Sequence, residues 1–359
     1  MDNFYTVSIQ SYYWNHNKYP SSDIYVSELL KGIRTEQHNF VLVCNILWES
    51  SFSDKIDVFK ELYKSFKKHK IKTITIMNSY MKYLQVDFEK EFDTKICYVD
   101  YFLWRTYDRV INLQRSQANK KWNSHADKFL FLTGKPDRPH RIRLLWKLRS
   151  HLQNCIWSLH INKGLIDECR KQIPELDQKK FEDFINTYRH NPDDVVVDHQ
   201  EQSLHYGGIP YDVSIFEQSL FRIVSETHFN QNSNAWITEK TWLTILNKCP
   251  FIIAGDNGIL AKLQQMGFKT FETYLPIKDY DSILNKENKL NAICTNAIHW
   301  LTNIENKEAI DKDVEHNYRQ LVSLAKHNKD ILEKVCENIG IDNTRINEIC
   351  NTQDFLSKV

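Results

Sequence analysis

Glycine is scarce in this chain, with 9 among 359 residues, well under half of the ~7% usual in soluble proteins. Those few make neither a GxGxxG dinucleotide fingerprint nor a GxxxxGK[ST] phosphate loop. Any phosphate held here must be held by side chains and helix N-termini. Long apolar runs are lacking too. The longest, residues 249–255, is far short of the ~20 residues of a membrane span. The eight cysteines stand singly with no CxxC spacing, which favours buried free thiols in a reducing compartment and makes a structural zinc unexpected. Met1-Asp2-Asn3-Phe4 has neither the basic start nor the apolar core of a secretion signal. The expectation is a cytoplasmic protein with no membrane association. No excess of charge of either sign exists, with 47 basic against 46 acidic residues, a balance unlike that of a typical duplex binder.

What is present belongs to a folded protein: 42% hydrophobic, 13% aromatic and 26% charged residues, over a length that suits two domains. Strand-like runs at 5–10, 40–45, 72–77 and 95–100 alternate with helix-like stretches at 22–33, 54–68 and 80–92. A polar segment at 104–126 interrupts them. A second alternation follows, with strands expected at 128–132, 155–159, 220–225, 251–254 and 269–271 and helices at 141–152, 238–246 and 260–266. Helices are expected over the last 70 residues or so. The fold class read from this is α/β, with two Rossmann-like domains facing a cleft and a helical C-terminal segment. The divisions are residues 1–115, a linker at 116–126, a second domain at 127–285 and C-terminal helices at 286–359. In such sheets ligands sit beyond the carboxyl ends of the strands.

Charge is uneven locally. Residues 105–149 carry twelve Lys/Arg against three Asp. Within them Lys135-Pro136-Asp137-Arg138-Pro139-His140-Arg141 joins a strand to a helix. Lys135, Arg138, His140 and Arg141 can meet an anion there together with free helix N–H groups. Arg143, Lys147 and Arg149 read as a solvated helix face. A second constellation places Glu226 after one strand and Thr238-Glu239-Lys240 at the start of the next helix, followed by Pro250-Phe-Ile-Ile-Ala-Gly255. Thr238 suits a helix cap. Glu226 and Glu239 can accept sugar or ribose hydroxyls, and Lys240 can pair with phosphate. Each taken singly also fits a helix end satisfying its dipole. Asp279-Tyr280-Asp281 matches a D-x-D metal pattern too short to be informative, and no metal is expected.

The order strand–Glu226-Thr227, Thr238-Glu239-Lys240-Thr241-Trp242, Pro250-Phe-Ile-Ile, then Leu-x-x-Leu-x-x-x-Gly-Phe-Lys-Thr-Phe271 resembles the donor half of GT-B glycosyltransferases. The likeness is to the fucosyltransferases and, closer still, to glycosyltransferase-like proteins of bacteriophages and large DNA viruses. It covers residues 128–281. It implies that Lys135, Arg138, His140 and Arg141 contact the diphosphate of a UDP- or GDP-linked sugar. Glu226, Thr238, Glu239 and Lys240 would grip ribose, sugar and phosphate. The nucleotide sugar is then a substrate and no cofactor is needed. One departure is Asn247-Lys248-Cys249, where the family has a small residue or glycine. For the acceptor side, the candidate general bases are Asp100, closing a strand, and Glu49, in a loop after one. The acceptor is a hydroxymethylated base in phage DNA, or a hydroxyl of a surface glycan or protein. The chain is expected as monomer or dimer. The competing classes are a nucleic-acid-binding module without chemistry and a catalytically idle scaffold.

Overall fold

The apolar runs of the first hundred residues become four strands, β1 (Asn3–Ser8), β2 (Phe40–Ile46), β3 (Lys72–Asn78) and β4 (Thr94–Val99). They pair in sequence order, all parallel. Helix α1 (Ile56–Lys68) links β2 to β3. It buries Leu62, Tyr63 and Phe66 on one side and exposes Lys64, Lys67 and Lys68 on the other, the spacing of an amphipathic helix. The computed structural model describes residues 3–8, 21–24, 26–27, 40–46, 56–78, 94–99, 120–133, 138–159, 178–189, 214–230 and 235–338. Residues 22–24 and 26–27 are helical as expected, whereas the helix expected at 80–92 lies outside the described residues. The chain divides into two units, Met1–Trp104 with Ala325–Val359, and Arg105–Leu324. The division therefore falls before the expected linker, and the C-terminal helices are shared between the units.

The second unit has its own parallel sheet, β5 (Lys128–Thr133), β6 (Cys155–Leu159), β7 (Ser219–Ser225) and β8 (Phe251–Ala254), in the order β6-β5-β7-β8. Every residue of β7 and β8 is buried. That explains why neither run alternates between apolar and exposed polar residues: a parallel strand is covered on both faces, and the polar residues of β7, Ser219, Arg222 and Ser225, are buried with the rest. Phe129 stacks on Phe221 at 5.5 Å, and Phe221 meets Trp300 edge-on at 5.3 Å, joining the sheet to a C-terminal helix. The helices are α2 (Pro139–Lys147), α3 (Gln178–Arg189), α4 (Ser214–Glu217), α5 (Glu239–Leu246), α6 (Ile259–Gln265), α7 (Lys286–Asn303) and α8 (Lys307–Asn338). Cys155, Cys249 and Cys294 are buried free thiols, and burial pushes the last two up to about 12.

Two expectations need correction. The helix expected at 141–152 begins at Pro139, because proline at the first helical position forfeits no hydrogen bond. It then gives way to a 3-10 turn at Arg149–Asn154. Residues 269–271 form no strand. Lys269 satisfies both its backbone groups on the Asn317 side chain, at 2.7 and 2.9 Å, and Phe271 adopts a left-handed backbone with φ 63°. The sheet therefore ends at β8, where the Tyr280 hydroxyl accepts the Ile253 N–H at 3.0 Å.

Candidate functional site

Strand β5 pairs with β6 on one side and β7 on the other, so the sheet's growth reverses direction between β5 and β7. Ligands of open α/β sheets settle in the crevice beyond such a switch point. Helix α2 starts there, after β5. Pro139 is its first residue, Arg138 its cap with extended backbone, and no side chain or acidic residue neutralises its first turn. Residues 226–230 leave β7 beside it. A cavity of about 400 Å³ opens at this place. Its walls carry Arg138, His140 and Arg143 from the start of α2, His228 to Asn230 from the loop after β7, and Lys286 at the start of α7. The lining includes three fixed cations and no carboxylate. Residues from the first turns of two helices line it, and of these α2 has no acidic residue in its first turn whereas α7 has Glu287. The fixed charges of its lining are all positive.

Glu226 behaves differently from a ligand-binding carboxylate. It is fully buried and aimed at the start of α5. One oxygen accepts the Thr238 N–H at 3.1 Å and the Thr241 hydroxyl at 2.6 Å, and the other accepts the Thr238 hydroxyl. The positive end of α5 is thus occupied by an internal anion, which leaves the start of α2 as the place for an external one. The Glu226 backbone carbonyl faces the other way and accepts from His140 Nε2 at 3.0 Å and Arg141 Nη2 at 3.3 Å. One residue therefore ties the two helix starts together. Glu226→Ala would strip the Thr238 amide and two hydroxyls of their acceptor. The expected loss is about 3 kcal/mol of stability, read by urea unfolding with tryptophan fluorescence. A loss under about 1 kcal/mol would mean that water reaches the Thr238 amide.

Glu239 and Lys240 pair with each other at 2.8 Å, and Lys240 Nζ also donates to the Thr238 hydroxyl at 3.2 Å. Burial pushes the Glu239 carboxyl up, but the Lys240 charge and hydrogen bond outweigh this and hold it below its ordinary value. Asp256, beyond β8, is buried and accepts the N–H groups of Asn230 (2.8 Å) and Trp236 (3.3 Å). Below the cavity, Lys289 is almost fully buried. Its ammonium reaches Asp281 Oδ1 at 2.9 Å, Gly255 O at 3.1 Å and the face of Phe229 at 5.4 Å. Burial lowers the Lys289 pKa even though Asp281 opposes the shift. The other Asp281 oxygen accepts the Leu260 N–H at the start of α6. The D-x-D pattern thus supplies a structural carboxylate to an ion pair and a helix start.

Of the residues chosen from sequence, Arg138 and His140 line the cavity, and Arg141, Glu226 and Thr238 form the buried network behind it. Glu239 and Lys240 sit at the start of α5 and are not among its lining. Lys135, Asp100 and Glu49 lie outside the described residues. Arg143, assigned to a solvated face, lines the cavity instead. Lys286 was not singled out at all, although the Asn285 cap before it marks a helix start. Much of the basic segment is locally neutralised. Lys120 pairs with Glu217, Arg143 and Lys147 pair with Glu287 at 3.1 and 2.5 Å, and Arg149 lies over the Trp146 ring at 4.2 Å. Lys248 occupies the departure noted above with φ 51°, a backbone that suits glycine. Glu315 at 2.8 Å and the face of Tyr318 at 4.5 Å hold its side chain.

No protein-family model, curated protein or solved structure matches this chain. The described residues contain no cluster of three or more His, Cys, Asp or Glu placed to hold a metal ion. No helix among them is long and apolar enough to cross a membrane.

Proposed function

We propose that this chain is a glycosyltransferase of the GT-B type, and that its Arg105–Leu324 unit binds a UDP- or GDP-linked sugar through the diphosphate. The observation that carries this reading is the cavity at the β5/β7 switch point, with three cations, no carboxylate and two helix starts around it. A diphosphate leaving as the sugar is transferred gains negative charge, and preorganised cations stabilise that charge most where water is excluded. Arg138 and Lys286 would supply it, since Arg143 already pairs with Glu287. The acceptor hydroxyl and the base that activates it, Asp100 or Glu49, would belong to the other unit. The acceptor would be a hydroxymethylated base in DNA, or a hydroxyl of a surface glycan or a protein. A nucleic-acid-binding module without chemistry is less well supported, because Lys120, Arg143 and Lys147 already have carboxylate partners.

Thermal unfolding with a panel of nucleotide sugars, UDP and GDP tests the reading. Ligand at about 100 Kd stabilises a binding-competent fold by about 2.7 kcal/mol. For a unit of this size that raises its Tm by roughly 5–10 °C. The absence of a shift with every nucleotide, together with retention on DNA at low salt, would replace this reading with the nucleic-acid one.

A further inference from the structure

His140 lines the cavity, yet it is built as an acceptor. The side chain is 6% exposed. Its Nε2 faces the Glu226 carbonyl at 3.0 Å, and a carbonyl only accepts, so the proton sits on Nε2. That leaves Nδ1 with a lone pair, and the bond from Nε2 is the side chain's one hydrogen bond among the described residues. The bond to Glu226 and the stack on Phe229, centroids 5.1 Å apart and 11° from parallel, together favour this ring orientation. Phe229 is itself buried and backed by the Lys289 ammonium. Burial, helped by the Arg141 charge, drives the imidazole down to about 3, so it stays neutral at pH 7. A doubly protonated histidine would serve a bare anion better. A lone pair among three cations suits a ligand that brings a donor beside its anionic oxygens. With so low an affinity for protons, Nδ1 is also a poor general base, so its role is to hold a hydroxyl and not to deprotonate it.

Resting on the reading of this cavity as the site of a sugar phosphate, we propose that His140 is a specificity-determining residue: its Nδ1 accepts a hydrogen bond from a sugar hydroxyl while the phosphate meets Arg138 and Lys286. A site that bonds a substrate hydroxyl discriminates strongly against the analogue lacking it, because its own polar group is then left unpaired.

The test titrates the full chain and its His140→Phe variant with four probes: inorganic pyrophosphate, ribose 5-phosphate, glucose 1-phosphate and tetrahydrofurfuryl phosphate, which has ring and phosphate but no hydroxyl. Phenylalanine keeps the stack on Phe229 and removes both nitrogens. In the wild-type chain at least one sugar phosphate is expected to bind about tenfold tighter than tetrahydrofurfuryl phosphate, one hydrogen bond's worth. In the variant that gap should close, with pyrophosphate affinity serving as the reference for any general weakening of the site. No gap in the wild type, or a gap that survives the substitution, overturns the hydroxyl contact alone. Failure of pyrophosphate and every other probe to bind overturns the phosphate reading as well. Should the variant not fold, the wild-type His140 Nδ1 nitrogen-15 resonance decides. It should move upfield with the sugar phosphate and not with pyrophosphate, and a resonance that does not move refutes the contact.

Discussion

Replacing Arg138 and Lys286 together by alanine is expected to weaken UDP or GDP binding by about 100-fold or more. Each removes a charge-assisted contact of about 1.5–3 kcal/mol, so the pair removes about 3–6 kcal/mol. Lys286 is exposed and Arg138 half-buried, so neither truncation opens a cavity in the core. Unfolding without ligand should therefore change little, within about 0.5 kcal/mol per site. Lys240→Ala is the informative companion. Its ammonium is engaged by Glu239 and Thr238, and the start of α5 is filled by the Glu226 carboxylate. It should weaken nucleotide binding much less than the double variant, as measured by calorimetry. The opposite ranking would move the diphosphate from the start of α2 to the start of α5.

Stability should also depend on pH through His140. Its folded pKa of about 3 lies below the ordinary 6.5. Between those values the unfolded chain binds a proton that the folded chain refuses. The contribution is thus complete above pH 6.5 and is lost as pH falls toward 3. The slope approaches about 1.4 kcal/mol per pH unit, and the whole loss is about 4–5 kcal/mol. Carboxylates and other histidines add their own slopes, so the informative quantity is a difference. Urea unfolding of the wild-type chain and His140→Phe at several pH values between 7 and 4.5 should give curves that converge as pH falls. Parallel curves would mean that solvent reaches the imidazole in the folded state.

The elements that were legible from sequence are those whose signal is local. The run at 251–254 is apolar throughout, and that at 155–159 is apolar but for Ser158, because strands of a parallel sheet are covered on both faces; each appears as a strand at those residues. Thr238 announces itself as a cap because a β-hydroxyl before a helix can accept from its first turn. The basic loop before α2 was visible as a charge cluster between a strand and a helix. Residues 269–271 misled because a tripeptide with β-prone Thr270 and Phe271 carries no mark of its partner. An asparagine 48 positions away in α8 supplies the hydrogen bonds that a neighbouring strand would have given.

The candidate site divides along the same line. The sequence by itself determined that any phosphate here is held without a glycine-rich loop, by cations and helix ends, because residue types are local facts. It also placed Arg138 and His140 where β5 hands over to α2. Only the tertiary structure decided what each charge faces. It turned Glu226 inward onto α5, locked Asp281 against Lys289, and brought Lys286 from almost 150 residues away to complete the cavity. The physical reason is that a charged side chain has the same identity in water, in a buried network or on a ligand site. Its role is set by its desolvation and by the partners that folding places within about 3 Å of it.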